Sequence, residues 1–314
     1  MEFGRVDEQL LDSIDFSLPA EPPLNNTVLT GKAIKDVNVY VGCTSWGRKE
    51  WVGKIYPNRT SEKDFLHQYV HHFNSVELNA THYKVYDETI ICKWVEKVKN
   101  QKVDTTGSNS VFKFCPKMYQ GITHQGSLYG KEDLQQAFLK ALVAFGEYLG
   151  PVFIQLSDSF SPKRKQELFD YLYTLPKEFS FFVELRHPDW FGKEELRNEL
   201  FTILKQLNIG AVITDTAGRR DCAHMHITVP KVFIRYVGNS LHQSDYTRCD
   251  TWVERMKHWQ QQGMEEIYFF LHMHDEATSP ELTVYLVDKM NKEMGLNLMK
   301  PKFIEGGVSQ SSLF

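Results

Sequence analysis

The chain has 314 residues, of which 42% are hydrophobic and 24% charged, with a formal net charge of −4. That length suits one large domain or two ordinary ones and does not limit core volume. The small negative charge excludes a global electrostatic drive toward nucleic acid or an anionic membrane, so any anion binding must come from a local basic cluster.

Residues 1–36 come first. The segment MEFGRVDEQLLDSIDFSL carries acids where a secretory signal has bases and lacks a long apolar core. No later run reaches membrane-spanning length. Pro19, Pro22, Pro23 and a polar Asn-Asn-Thr stretch predict an extended N-terminal arm outside the core. The five cysteines (Cys43, Cys92, Cys115, Cys222, Cys249) are odd in number and never spaced CxxC. They argue against a disulfide framework or a structural zinc site and fit a reducing cytoplasm.

From Val37 a rhythm begins. Eight apolar runs recur, VNVYVGCTSW, SVELNATHY, VFKFCPK, VFIQLSD, FSFFVELRH, GAVITD, KVFIRYVG and IYFFLHMHD, and nearly all end in residues able to do chemistry. Between most of them lies a segment with helical spacing, such as Leu134, Phe138, Leu142, Phe145 or Leu196, Leu200, Leu204, Leu207. Two of these segments open on Ser-Pro, at Ser161 and Ser279, which predicts hydroxyl N-caps. After GAVITD the helix is missing, and the polar TAGRRDCAHMHITVP predicts a long loop instead. Alternating strands and helices imply parallel pairing, and eight units predict an α/β fold: a TIM-like (β/α)8 barrel over residues 37–296 without a regular helix after strand 6. An open parallel sheet is the rival. Neither GxGxxG nor GxxxxGK[ST] occurs, which argues against dinucleotide and nucleotide-hydrolase readings.

Strand parity assigns direction. If Val76, Leu78, Val183, Leu185, Val232, Ile234, Phe269 and Leu271 pack outward on helices, then Glu77, Asn79, Glu184, Arg186, Arg235, His272 and His274 turn inward. The same argument turns Lys113, Lys117, Gln155 and Asp215 inward. Charges gathered at the carboxyl ends of barrel strands point to a site. The competing expectation is a self-satisfied ion-pair network that only holds the barrel closed. Trp46, Trp51, Tyr83, His187 and Trp190 sit on strand-to-helix loops as candidate ligand contacts. Arginine forks beside aromatic faces suit a phosphorylated ligand or a nucleic acid. His272 and His274, two apart on one strand, are candidate ligands for zinc or manganese. His82 and His187 are candidate acid–base groups without a metal.

The segments GCTSWGRKEWVGKIYP, HFNSVELNATHYK, FKFCPK, LGPVFIQLSDSFSP and FFVELRHPDWF resemble the YecE-like family, domain of unknown function seventy-two. The resemblance spans about residues 37–295 and implies a TIM-like barrel but no particular reaction. It carries over onto Trp46, Trp51, Glu77, Tyr83, Lys113, Gln155, Glu184, Arg186, His187 and Trp190. Where many members are expected to have asparagines after the last strand, this chain has His272-Met273-His274.

Residues 297–314 predict a flexible C-terminal tail ending in Gln310-Ser311-Ser312-Leu313-Phe314. That ending resembles the bacterial sliding-clamp-binding peptide, with Gln310, Leu313 and Phe314 as the groove contacts. The leading expectation is a cytoplasmic hydrolase acting on a phosphodiester or phosphorylated sugar, brought to DNA repair by the clamp. Glu77, Glu184, His187 and Asp215 are its candidate catalytic groups. The alternatives are a glycosidase pair at Glu77 and Glu184, or a non-catalytic phospho-ligand-binding or adaptor barrel.

Overall fold

The computed structural model describes residues 3–99 and 111–304. Eight parallel strands form one sheet: β1 (Asn38–Cys43), β2 (Ser75–Leu78), β3 (Lys113–Pro116), β4 (Val152–Gln155), β5 (Phe181–Glu184), β6 (Gly210–Asp215), β7 (Lys231–Gly238) and β8 (Glu266–Met273). Neighbours follow the order β3-β2-β1-β8-β7-β6-β5-β4, so the first strand pairs the last and the sheet curls into a barrel. Closure across β3 and β4 is partial. It rests on the bridge Lys117↔Phe153 and on two amides, Met118 N–H to the Phe153 carbonyl (2.9 Å) and Gly150 N–H to the Phe114 carbonyl (2.7 Å).

The alternation of side chains follows the pleat. Val76, Leu78, Val183 and Leu185 enter one outer cluster, and Val232, Ile234, Phe269 and Leu271 enter another, each shared with the surrounding helices. Inside, Tyr40, Cys115, Phe153, Phe182, Val212, Phe233, Tyr268 and Phe270 form an apolar floor. Each large side chain removed from water contributes roughly 1.5–3 kcal/mol to this packing. Above the floor, toward the carboxyl ends, the inward positions become polar: Glu77, Gln155, Glu184, Thr214, Arg235 and His272 are all at most 5% exposed.

A helix follows every strand except β6, where one 3-10 turn, Arg220–Cys222, is the only helical element before β7. The Ser-Pro starts differ from their expected caps. Ser161 precedes a 3-10 turn and makes no side-chain cap bond, and the Ser279 hydroxyl donates to Glu276 at 3.0 Å instead of receiving an amide.

The arm is docked rather than free. Leu11 and Leu29 are buried, and buried Asn25 bonds both the Met225 carbonyl (2.8 Å) and the Ile227 amide (2.9 Å) of the β6–β7 loop. Phe16 lies against Arg248 of the helix Gln243–Gln262, 4.9 Å from guanidinium carbon to ring centre. The arm thus supplies packing in the sector that lacks a helix. The tail begins docked as well: Ile304 N–H donates to the Lys54 carbonyl at 2.9 Å, and Lys302 N–H donates to His72 at 3.2 Å. Gln310, Leu313 and Phe314 lie outside the described residues.

Candidate functional site

Arg235 is the centre of the polar layer. From β7 it reaches across the barrel and grips Glu77 of β2 with two nitrogens, Nε to Oε2 at 2.9 Å and Nη2 to Oε1 at 2.8 Å. Its third nitrogen, Nη1, donates to Glu184 Oε2 of β5 at 2.5 Å. Arg186 Nε takes the other Glu184 oxygen at 2.8 Å, and the Thr214 hydroxyl donates to that same oxygen at 3.1 Å. Asn79 and His272 complete the shell of Glu77, at 2.8 and 2.9 Å. Lys117 Nζ donates to Gln155 Oε1 at 2.8 Å.

This connectivity fixes the charges. Burial alone would raise the Glu77 carboxyl, but the Arg235 guanidinium and His272 overcome it and hold it well below the ordinary carboxylate value. Burial opposes Glu184 in the same way, and Arg186 with Arg235 still brings it down to about 2. Burial lowers His272, so it is a neutral imidazole donating through Nε2 to Glu77. Burial and the nearby Arg235 bring the Lys117 ammonium down to about 8.

The family model described as "Protein of unknown function DUF72" matches residues 40–303. The chain belongs to the DUF72 family. It is 29% identical to the UPF0759 protein YecE of Escherichia coli K12 over 274 residues, 82% of this chain and 94% of that one. It is 30% identical to the UPF0759 protein YunF of Bacillus subtilis over 133 residues, 40% of this chain and 43% of that one. Among solved structures, a DUF72 protein of Enterococcus faecalis superposes with a TM-score of 0.62 at 18% identity, over 84% of this chain and all of that one. A DUF72 protein of Thermotoga maritima gives 0.58 at 20% identity, over 82% and 99%. These two share the fold with this chain.

The remaining candidates divide by position within this DUF72 barrel. Asp215 does not face the interior. Inward parity on β6 belongs to Val212 and Thr214, and Asp215 turns to the helix layer, where it bonds Arg220, Arg248 and Trp252 Nε1. Lys113 opens β3 and so lies at the opposite, amino-terminal end, donating to the Glu147 carbonyl at 2.6 Å. Trp51 and Trp190 have no exposed surface. They anchor loops through indole N–H bonds to the carbonyls of Glu276 (3.0 Å) and Phe160 (2.7 Å) rather than facing a ligand. Trp46 is half-buried, edge-on to Trp94 and Phe114. His187 accepts from the amide of Asp189, two residues on. Tyr83, by contrast, is 69% exposed at the end of the turn that follows β2.

A zinc or manganese ion on His272 and His274 does not fit this arrangement. Both Glu77 oxygens are bonded to Arg235, with Asn79 and His272 adding to them. Among the described residues no group of three or more His, Cys, Asp and Glu side chains is arranged to hold a metal.

Three features of the mouth were not among the candidates. His124 stands edge-on to His82 at 4.8 Å, and burial with Lys117 depresses His82 to about 4. Because the Met118 carbonyl can only accept, His82 Nδ1 carries the proton and Nε2 keeps a lone pair. Thr214 shared the parity of Val212 and was legible from alternation alone. Phe3 of the arm lies over Arg186 (4.1 Å) and Arg219 (5.2 Å), which no local sequence signal announces. Among the described residues no helix is long and apolar enough to cross a membrane.

Proposed function

We propose that the carboxyl-terminal mouth of the barrel binds a small phosphorylated ligand, held by Lys117 and Arg186. The support is a charge imbalance in a buried layer: among the described residues Lys117, Arg186 and Arg235 lie together with two buried carboxylates, Glu77 and Glu184, and Arg235 engages both of those. Asp158, a further acid near Arg186 among the described residues, is exposed and 3.8 Å away. An anion at the mouth offsets the surplus, and a guanidinium beside an ammonium is suited to phosphate oxygens. The test is calorimetric titration with inorganic phosphate and with a sugar phosphate. Binding that weakens at least tenfold in Arg186→Gln supports the reading; no heat at millimolar ligand in the wild type sinks it.

A glycosidase pair is disfavoured by the same geometry. Such a pair needs one carboxyl protonated near neutral pH, and both acids here are held ionised by arginine. Phosphoester hydrolysis is a second reading, favoured by His82, whose free Nε2 lone pair beside the mouth suits a general base. Its ligand would then be a phosphorylated sugar or a nucleic-acid phosphodiester. Assaying sugar phosphates and nicked or abasic duplexes with wild type and His82→Gln decides between retention and turnover. From the sequence alone we also propose that Gln310, Leu313 and Phe314 engage a sliding clamp. A clamp pull-down that survives removal of the last five residues would discard that idea.

A further inference from the structure

The three buried cations of the mouth are not equivalent. Arg235 and Arg186 each bond a carboxylate, whereas the hydrogen bond of Lys117 goes to the neutral side-chain oxygen of Gln155. Lys117 is 9% exposed, directly beyond the carboxyl end of β3, and bridges Phe153 across the barrel seam. The groups facing it are Arg235 from β7, Glu184 and Arg186 from β5, Glu77 from β2, His82 after β2 and His124 after β3. Burial keeps both imidazoles neutral. Counted over the described residues, the buried layer therefore carries one net positive charge with Lys117 protonated and none with it neutral. A desolvated amine with other cations close by, here Arg235 and Arg186, is a standard way to obtain a nucleophilic lysine near neutral pH.

We propose that Lys117 is an imine-forming amine, which condenses with the carbonyl carbon of a small phosphorylated aldehyde or ketone whose phosphate rests on Arg186. This rests on the phosphorylated-ligand reading and names its chemical class, with Lys117 passing from ammonium contact in the bound ligand to neutral amine at its carbonyl while Arg186 keeps the phosphate. The neutral nitrogen of Lys117 attacks the carbonyl carbon, and the carbonyl π pair moves to oxygen. A proton passes from nitrogen to that oxygen, giving a carbinolamine. The C–O bond then breaks, the hydroxyl departs as water with a second proton from nitrogen, and a C=N bond forms. Amine and carbonyl become imine and water, with no oxidant or reductant required. With its ammonium brought down to about 8, Lys117 gains neutral amine through that region, where an exposed lysine, at its ordinary value of about 10.4, has a far smaller neutral fraction.

The experiment incubates the full chain at pH 7.5 with glyceraldehyde 3-phosphate, and in parallel with glyceraldehyde, traps imines with cyanoborohydride and locates the secondary amines by peptide mass. Lys117 should be the fastest-labelled lysine with the phosphorylated probe. Gln155→Glu, which sets a carboxylate against the ammonium, should slow its labelling about tenfold for each unit by which its pKa rises. If exposed lysines are labelled and Lys117 is not, the proposal is overturned, even where titration still detects phosphate. If Lys117 is labelled equally fast by both probes, the amine assignment stands and the phosphate reading fails.

Discussion

Arg235 reaches both buried acids, two of its nitrogens on Glu77 and the third on Glu184. Removing it would leave two uncompensated carboxylates inside the barrel. Arg235→Met is therefore expected to cost about 3–5 kcal/mol, read as a fall in the urea midpoint. An unchanged midpoint would mean the network contributes no stability. The same acids set an acid limb. Their folded values lie below the unfolded carboxylate value of about 4.3, so the stability they contribute is present above that pH and lost as pH falls toward 2. A second window opens earlier. His72, His82 and His226 are depressed to about 4 and His224 to about 3, chiefly by burial. The unfolded chain binds those protons first, so stability should start to fall as pH drops below about 6.5. A midpoint flat from pH 7 to pH 4 would contradict this. At this scale parity alone made Glu77, Glu184, Arg186, Arg235, Lys117, Gln155 and His272 legible. It failed at Asp215 because GAVITD is apolar on both parities, and at Lys113 because parity gives the face of a strand but not the height along it.

Among the elements, the informative one is the absent helix. A polar interval with Gly218 and Pro230 announced a loop after β6, and the structure has one there. What covers that loop was not legible, since a segment without periodicity gives no local sign of where it docks. The answer is the N-terminal arm, fixed through Asn25 and through the Gly218 amide, which donates to the Gly4 carbonyl at 2.7 Å. At Gly218 any Cβ would sit 2.9 Å from the Gly4 carbonyl oxygen, so the close approach needs glycine there. Asn25→Ala strands a buried carbonyl and a buried amide together. It should lower stability by roughly 1–3 kcal/mol and raise hydrogen exchange at Ile227 specifically. Exchange that is unchanged at Ile227 would show that the arm does not hold this loop.

Across the whole molecule the barrel has one weak line. β7 and β8 are eight residues long and fully laddered, whereas β3 and β4 are four residues each and share only isolated bonds. The number of strands was legible in the recurring apolar runs; this uneven closure was not, because pairing across the seam joins residues from two separate repeat units. Lys117 sits on the seam, so its stiffness and the position of the proposed amine are linked. Gly150 is the point to probe. Its amide donates to the Phe114 carbonyl, and a Cβ there would lie 2.6 Å from Cys115 Sγ and 3.1 Å from that carbonyl oxygen. Backbone and a buried thiol cannot both retreat, so Gly150→Ala should cost about 1–3 kcal/mol through overpacking. The loss should be local. Exchange at the Met118 and residue-150 amides should accelerate while the β7 and β8 amides keep their protection, because those strands pair away from the seam. Labelling of Lys117 should slow in the same variant if the seam sets the direction of its side chain. Uniform acceleration in every strand would show instead that the barrel opens as a single unit and that the seam has no separate stability.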